Sequence, residues 1–246
     1  KDLPRPDKVQ RKDGLSTVVL DRSGDKLYDI FEESNRIPAK WEEVPQCLRD
    51  ATVAVEDKDF YRHQGLSTTG ILRALIRTVL FHDTQGGSTL TQQLVKNVLL
   101  STEQTLPRKM KEAILSIQIE RKYSKNDILL MYLNEVPYGG TAIGVKAAAE
   151  HYYSKDVKDL SMPECVILAG LPQSPTTYSP FTGEPKAYIG RTTQVLRRMR
   201  EDGYLTVVAE GEIRKALDSV VFSSGDGNLR APHFVAYVKD LLIEKF

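Results

Sequence analysis

The residues most able to do chemistry fall in two strings. In the first, Glu56-Asp57-Lys58-Asp59-Phe60-Tyr61-Arg62-His63-Gln64-Gly65, three carboxylates, an imidazole and two aromatic rings follow an apolar run. A carboxylate at a helix end, shielded from water by bulky rings, is suited to take a proton from a hydroxyl. The same composition also describes a solvated acidic helix terminus. In the second string, Gly86-Gly87-Ser88-Thr89-Leu90-Thr91-Gln92-Gln93-Leu94-Val95-Lys96-Asn97, a glycine pair precedes a helix start rich in hydroxyls, followed by two amides and an ammonium. Free backbone N–H groups at such a start can hold phosphate. The glycines are adjacent and no Gly-Lys-Ser/Thr closes the loop, which argues against a nucleotide P-loop. Ser88 and Thr89 read equally well as helix caps.

These strings need helices to position them. Leu48, Ala51 and Val55 form one stripe at three-and-four spacing, and Ile71, Leu72, Leu75, Ile76, Val79 and Leu80 form another. Thr89 with Gln92, Ser124 with Asp127, and Ser161 with Glu164 have capping-box spacing, and Pro107 suits a first helical turn. Further helices are expected over 143–153, 185–202, 206–218 and 231–246. The run STVVLDRSGDKLYDIF from Ser16 to Phe31 predicts a hairpin, expected to be the only sheet. On the helix after Pro107, Met110, Ala113, Ile114 and Ile117 are expected to form the core stripe, with Leu115 and Ile119 beside Glu112. Residues 1–14 hold five Lys/Arg, three Asp and two Pro without periodicity and read as a flexible tether. Residues 15–222 read as the domain. SSGDGNL at 223–229 has linker composition, and 223–246 reads as a linker leading to something absent.

Composition narrows the classes. With 246 residues, 41% hydrophobic and 27% charged, the chain has the makings of a folded domain rather than a disordered or collagenous one. Lys plus Arg number 34 against 33 Asp plus Glu, so no global field draws it to nucleic acid. Between 86 and 125, however, seven Lys/Arg face three Glu, a local surplus for a polyanion. The longest apolar run, Cys165 to Leu171, is too short to span a bilayer. Cys47 and Cys165 are too few for a disulfide framework, and no Cys/His cluster has zinc-site spacing.

EDKDFYRHQG and GGSTLTQQLVKN, in that order, together resemble the peptidoglycan glycosyltransferases, glycosyltransferase family 51, which include class A penicillin-binding proteins. Arg108-Lys109-Met110-Lys111-Glu112, the run KNDILLMYLN from Lys125 to Asn134, and RTTQVL from Arg191 to Leu196 continue the resemblance. It covers roughly residues 15 to 220. It implies a mainly α, lysozyme-like fold with a small N-terminal β-hairpin and a membrane-associated lobe, to which the amphipathic stretch Leu66 to Phe81 would contribute. An ordinary core helix is the other reading of that stretch. The tail Ala231-Pro232-His233-Phe234-Val235 is similar to the approach to a transpeptidase domain.

The resemblance further implies polymerisation of lipid II at the outer face of the cytoplasmic membrane, alongside cell-wall synthesis proteins, and inhibition by moenomycin. Glu56 would be the general base and Glu112 would assist departure of the pyrophosphate, directly, through water or through a divalent metal such as Mg or Mn. Lys96, Arg108 and Lys109 would meet the phosphates, with Ser88, Thr89, Gln92, Gln93, Asp57, Phe60, His63 and Asn134 completing the substrate site. Of these, Phe60 and His63 read as supports for the Glu56 loop, and Tyr132 and Asn134 as buttresses. The chain departs from the family pattern at Gln104 and Gln173, which shifts the weight of phosphate binding to Lys96 and Arg108. Two alternatives stay open: a lysozyme-like enzyme that cleaves peptidoglycan, and a non-catalytic lipid II-binding module. The phosphate string argues against the first, and the pair of glutamates against the second.

Overall fold

The computed structural model describes residues 4–9, 16–24, 26–30, 34–67, 87–100 and 105–223, together with Phe234, Tyr237, Val238 and Leu241. Most of the expected Leu66 to Phe81 lobe helix, the 231–246 helix, Gly86 and Gln104 lie outside or largely outside the described residues. Within them the chain is mainly helical: α1 (Gln46–Glu56), α2 (Leu90–Leu99), α3 (Leu106–Lys122), α4 (Lys125–Glu135), α5 (Val145–Tyr153), α6 (Met162–Gly170), α7 (Pro175–Tyr178), α8 (Ala187–Glu201) and α9 (Val207–Ala216).

Two helical groups carry the core. In the first, α1, α6 and α8 pack on one another. Every residue of α6 from Glu164 to Gly170 is buried, as suits a helix apolar on all sides. That is the run too short to span a bilayer, and no described helix is long and apolar enough to cross a membrane. In the second group α2 packs on both α3 and α4. Helix starts follow the local chemistry. Thr89, Ser124 and Ser161 each close a reciprocal capping box with the residue three further on, and Thr105 caps α3 with Pro107 in its first turn.

Four findings correct the sequence expectations. The hairpin β1 (Thr17–Leu20) and β2 (Lys26–Ile30) forms, antiparallel, with Thr17 opposite Ile30. It is not the only sheet, because β3 (Asn35–Arg36), β4 (Pro137–Gly139) and β5 (Ala142–Ile143) make another in the order β3-β5-β4. Strands of two or three residues are too short to show a period-two pattern. The supposed tether holds a 3-10 turn, Pro6–Val9, whose Val9 is fully buried and which packs on α2 and α3. On α3 the stripe is reversed. Glu112, Leu115, Ser116 and Ile119 are buried, while Met110 and Ile114 are exposed. Finally, Cys47 on α1 and Cys165 on α6 are joined by a disulfide with a Cα–Cα distance of 5.9 Å.

Candidate active site

Glu56 is the last residue of α1, so its carboxylate projects from a helix C-terminus. Its Oε1 meets the Arg191 guanidinium from α8 at 3.3 Å, and its Oε2 accepts a hydrogen bond of 2.9 Å from Gln93 Nε2 on α2. The Gln93 amide is held in turn by the Tyr132 hydroxyl, which donates to its Oε1 at 3.4 Å. Burial, reinforced by the charge of Glu56, pushes the phenols of Tyr132 and Tyr138 well above the ordinary tyrosine range, so both remain neutral hydroxyls beside the carboxylate.

Glu112 sits in a different setting. Its side chain is 2% exposed, with Arg108 Nη1 at 3.0 Å from Oε2 and Lys109 Nζ on Oε1. Residues three and four apart share a helix face, so the RKMKE spacing brings both cations onto the glutamate. Lys109, half exposed, also donates to Ser88 Oγ at 2.7 Å, just before the start of α2. The two carboxylates are thus linked by α2. Ser88, two residues before α2 begins, lies beside the Glu112 cluster, and Gln93, in the first turn of α2, touches Glu56.

The remaining predicted residues hold this frame. Asp57 Oδ2 accepts from the Leu90 backbone N–H at 2.9 Å and contacts His63 Nε2 at 2.8 Å. Because His63 Nδ1 accepts from the Gly65 N–H at 3.2 Å, its proton belongs on Nε2, pointing at Asp57. The ring of Phe60 is fully buried under the Lys125 ammonium. Thr89 Oγ1 donates to Gly65 O at 2.7 Å and accepts from Gln92 N, and Gln92 Oε1 accepts from Thr89 N. Asn134 bonds Ala39 through both ends of its amide. Asp57, His63, Thr89, Gln92 and Asn134 thus each make hydrogen bonds within the protein that tie the loop after α1, the start of α2 and the end of α4 to their neighbours. Lys96 is exposed on α2, one turn beyond Gln93.

Arg191 was missed as a site residue. RTTQVL marks its helix, but an arginine in a helical pattern looks like any surface arginine until the packing of α8 on α1 is known. A divalent cation would find a single carboxylate at Glu112, both oxygens already engaged by cations. Among the described residues no group of three or more His, Cys, Asp or Glu side chains is placed to hold a metal. The donor set at Glu112, one carboxylate with both oxygens held by cations, does not fit a resident metal ion.

A largely buried carboxylate at a helix end and a second carboxylate held by two cations are thus both tied to the N-terminal end of α2, in a mainly helical frame. The family model described as Transglycosylase matches residues 23–200. Penicillin-binding protein 1A of Clostridium botulinum (strain Langeland) is 40% identical over 212 residues, covering 82% of this chain and 26% of the relative. Penicillin-binding protein 1F of Bacillus subtilis (strain 168) is 41% identical over 201 residues, covering 80% and 28%. The chain thus spans about a quarter of the length of these curated relatives. The crystal structure of penicillin-binding protein 1A from Haemophilus influenzae shares the fold, with a TM-score of 0.50 at 23% identity over 94% of this chain and 24% of that one. The chain belongs to the transglycosylase family.

Proposed function

We propose that this domain polymerises lipid II by inverting transfer. Glu56 takes the proton from the 4-hydroxyl of an acceptor lipid II as that oxygen attacks the anomeric carbon of the lipid-linked growing chain. The new β-1,4 bond forms as the bond between the anomeric carbon and the pyrophosphate oxygen breaks, and the lipid pyrophosphate leaves with the electron pair. A base on one face and charge stabilisation on the other suffice for inversion, without a covalent sugar–enzyme intermediate. The leaving group is multiply anionic, and Arg108, Lys109 and the exposed Lys96 supply the cations that strengthen contact as its charge develops. Glu112 holds Arg108 and Lys109 in place for it. A lipid-linked substrate puts the domain at a membrane surface, on the outer face of the cytoplasmic membrane where polymerisation would occur.

The observation that carries this reading is the Glu56 carboxylate at the end of α1, held between Arg191 and Gln93, in a transglycosylase-family domain whose α3 carries a cation cluster. The test is polymerisation of labelled lipid II in detergent, read as a glycan ladder on a gel. Wild type should give a ladder, and Glu56→Gln should lower the rate by about 10²- to 10⁴-fold, the usual contribution of a general base. Glu112→Gln should slow turnover without abolishing it. A wild type that solubilises purified sacculi and makes no ladder would replace the reading with glycan cleavage. Retained lipid II binding with neither activity would replace it with a binding module.

A further inference from the structure

The Arg191 side chain is 6% exposed and that of Glu56 11%, so their contact is made almost out of water. The guanidinium is fixed before it reaches the carboxylate. Its Nε donates to Gly170 O at 3.2 Å and Nη1 to Gln194 Oε1 at 3.3 Å, which leaves Nη2 for Glu56 Oε1. Gly170 makes this possible: a Cβ there would stand 3.1 Å from Arg191 Cγ, where the arginine stem crosses the end of α6. Seven residues on, on the same face of α8, Arg198 Nη1 donates to Val55 O at 2.9 Å. Two arginines thus grip the C-terminal turn of α1, where the helix dipole and the Glu56 carboxylate both place negative charge.

We infer that Arg191 is a positioning residue for glycosyl transfer, aiming the Glu56 carboxylate through a preset guanidinium. The inference rests on the proposed role of Glu56 as base. An arginine fork locked at two of its nitrogens fixes the orientation of a carboxylate in a way a flexible ammonium does not. The other titratable groups around the pair are Tyr132 from α4, Tyr138 from β4, and, on the Arg191 side, Tyr178 from α7 and Arg198. Burial lowers the Arg191 guanidinium from its ordinary value while the charge of Glu56 opposes that. Burial keeps Tyr132 and Tyr138 neutral beside the pair, and a guanidinium such as that of Arg191 stays charged.

The test measures initial rates of lipid II consumption against pH for wild type, Glu56→Gln, Arg191→Gln and Arg191→Lys, with a thermal melt of each. Arg191→Gln should lower kcat about 10- to 100-fold with KM within about twofold, and move the acid limb of the kcat profile to higher pH. Arg191→Lys should lie between the two in both respects, because it restores charge without the fork. Wild-type kcat and acid limb in Arg191→Gln would overturn the inference. So would a loss with the acid limb unmoved in both variants, since a purely structural role would leave it in place. If Arg191→Gln does not fold, Arg191→Lys decides, and wild-type kcat and acid limb there are the overturning result. A wild type without activity, or a fully active Glu56→Gln, instead removes the role of Glu56 and the inference with it.

Discussion

Neighbouring acids at the end of α1 meet different groups. Glu56 turns toward α8 and the amide of Gln93. Asp57, the C-cap of the same helix, turns inward, where its Oδ2 accepts from the first backbone N–H of α2 and faces His63. It is 8% exposed, so removing it strands two donors away from water. An unsatisfied buried donor costs about 1–3 kcal/mol. Asp57→Ala should therefore lower the melting temperature by several degrees, while Asp57→Asn, which keeps an acceptor oxygen for Leu90, should lose less. Equal melting of wild type and Asp57→Ala would show that this carboxylate does not anchor α2. Glu112 differs again, since its two cations come from its own helix. Its partners are local in sequence, yet the sequence reading assigns Arg108 and Lys109 to the phosphates rather than to Glu112.

At the scale of elements, the helices that carry Glu56 and Glu112 are brought together by the loop that follows Glu56. Gly65 has φ +90, and a Cβ built on it would lie 2.9 Å from the Ser116 carbonyl carbon and oxygen of α3. The loop therefore presses directly onto the helix that carries Glu112, four residues before Ser116. Thr89 ties the start of α2 to the same point through Gly65 O. Gly65→Ala combines left-handed backbone strain with a clash against backbone that cannot swing away, so it should cost roughly 2–4 kcal/mol. It should also slow polymerisation beyond the loss expected from partial unfolding, measured at a temperature where the variant is fully folded. A Gly65→Ala protein with wild-type melting and rate would refute the close packing of this loop on α3. The sequence made the starts of α2, α4 and α6 legible, because a capping box is a property of four consecutive residues. The face of α3 was not legible. Leu106, Met110 and Ile114 offer one apolar stripe and Leu115 and Ile119 another, and only the packing on α2 decides which is buried. Arg191 was hidden for the same reason, since its partner is 135 residues away.

Across the whole molecule, Glu56 is held by the α1–α6–α8 group and Glu112 by the α2–α3–α4 group, joined through Asp57 to Leu90 and Glu56 to Gln93. The relative position of the carboxylates then depends on each group staying rigid. The Cys47–Cys165 disulfide fastens α1 to α6 across 118 residues of sequence, in the group that presents Glu56. Counting cysteines could not pair them, because pairing is a property of the packed helices. A disulfide also agrees with the proposed site of action outside the cytoplasmic membrane, since such bonds persist in oxidising space. In the chain-entropy model a loop of this length contributes on the order of 4–5 kcal/mol, at about 2–4 °C per kcal/mol for a chain of this size. The double variant Cys47→Ser, Cys165→Ser should accordingly melt about 8–20 °C lower, and protein purified without reductant should show no titratable thiol in denaturant until it is reduced. Because the bond sits at the start of α1 and Glu56 at its end, the variant should keep much of its kcat at temperatures well below its melt, where packing alone holds α1. Two free thiols before reduction, with a melt unchanged by the double substitution, would leave packing against α6 and the two arginines of α8 as the only restraints on the helix of the base.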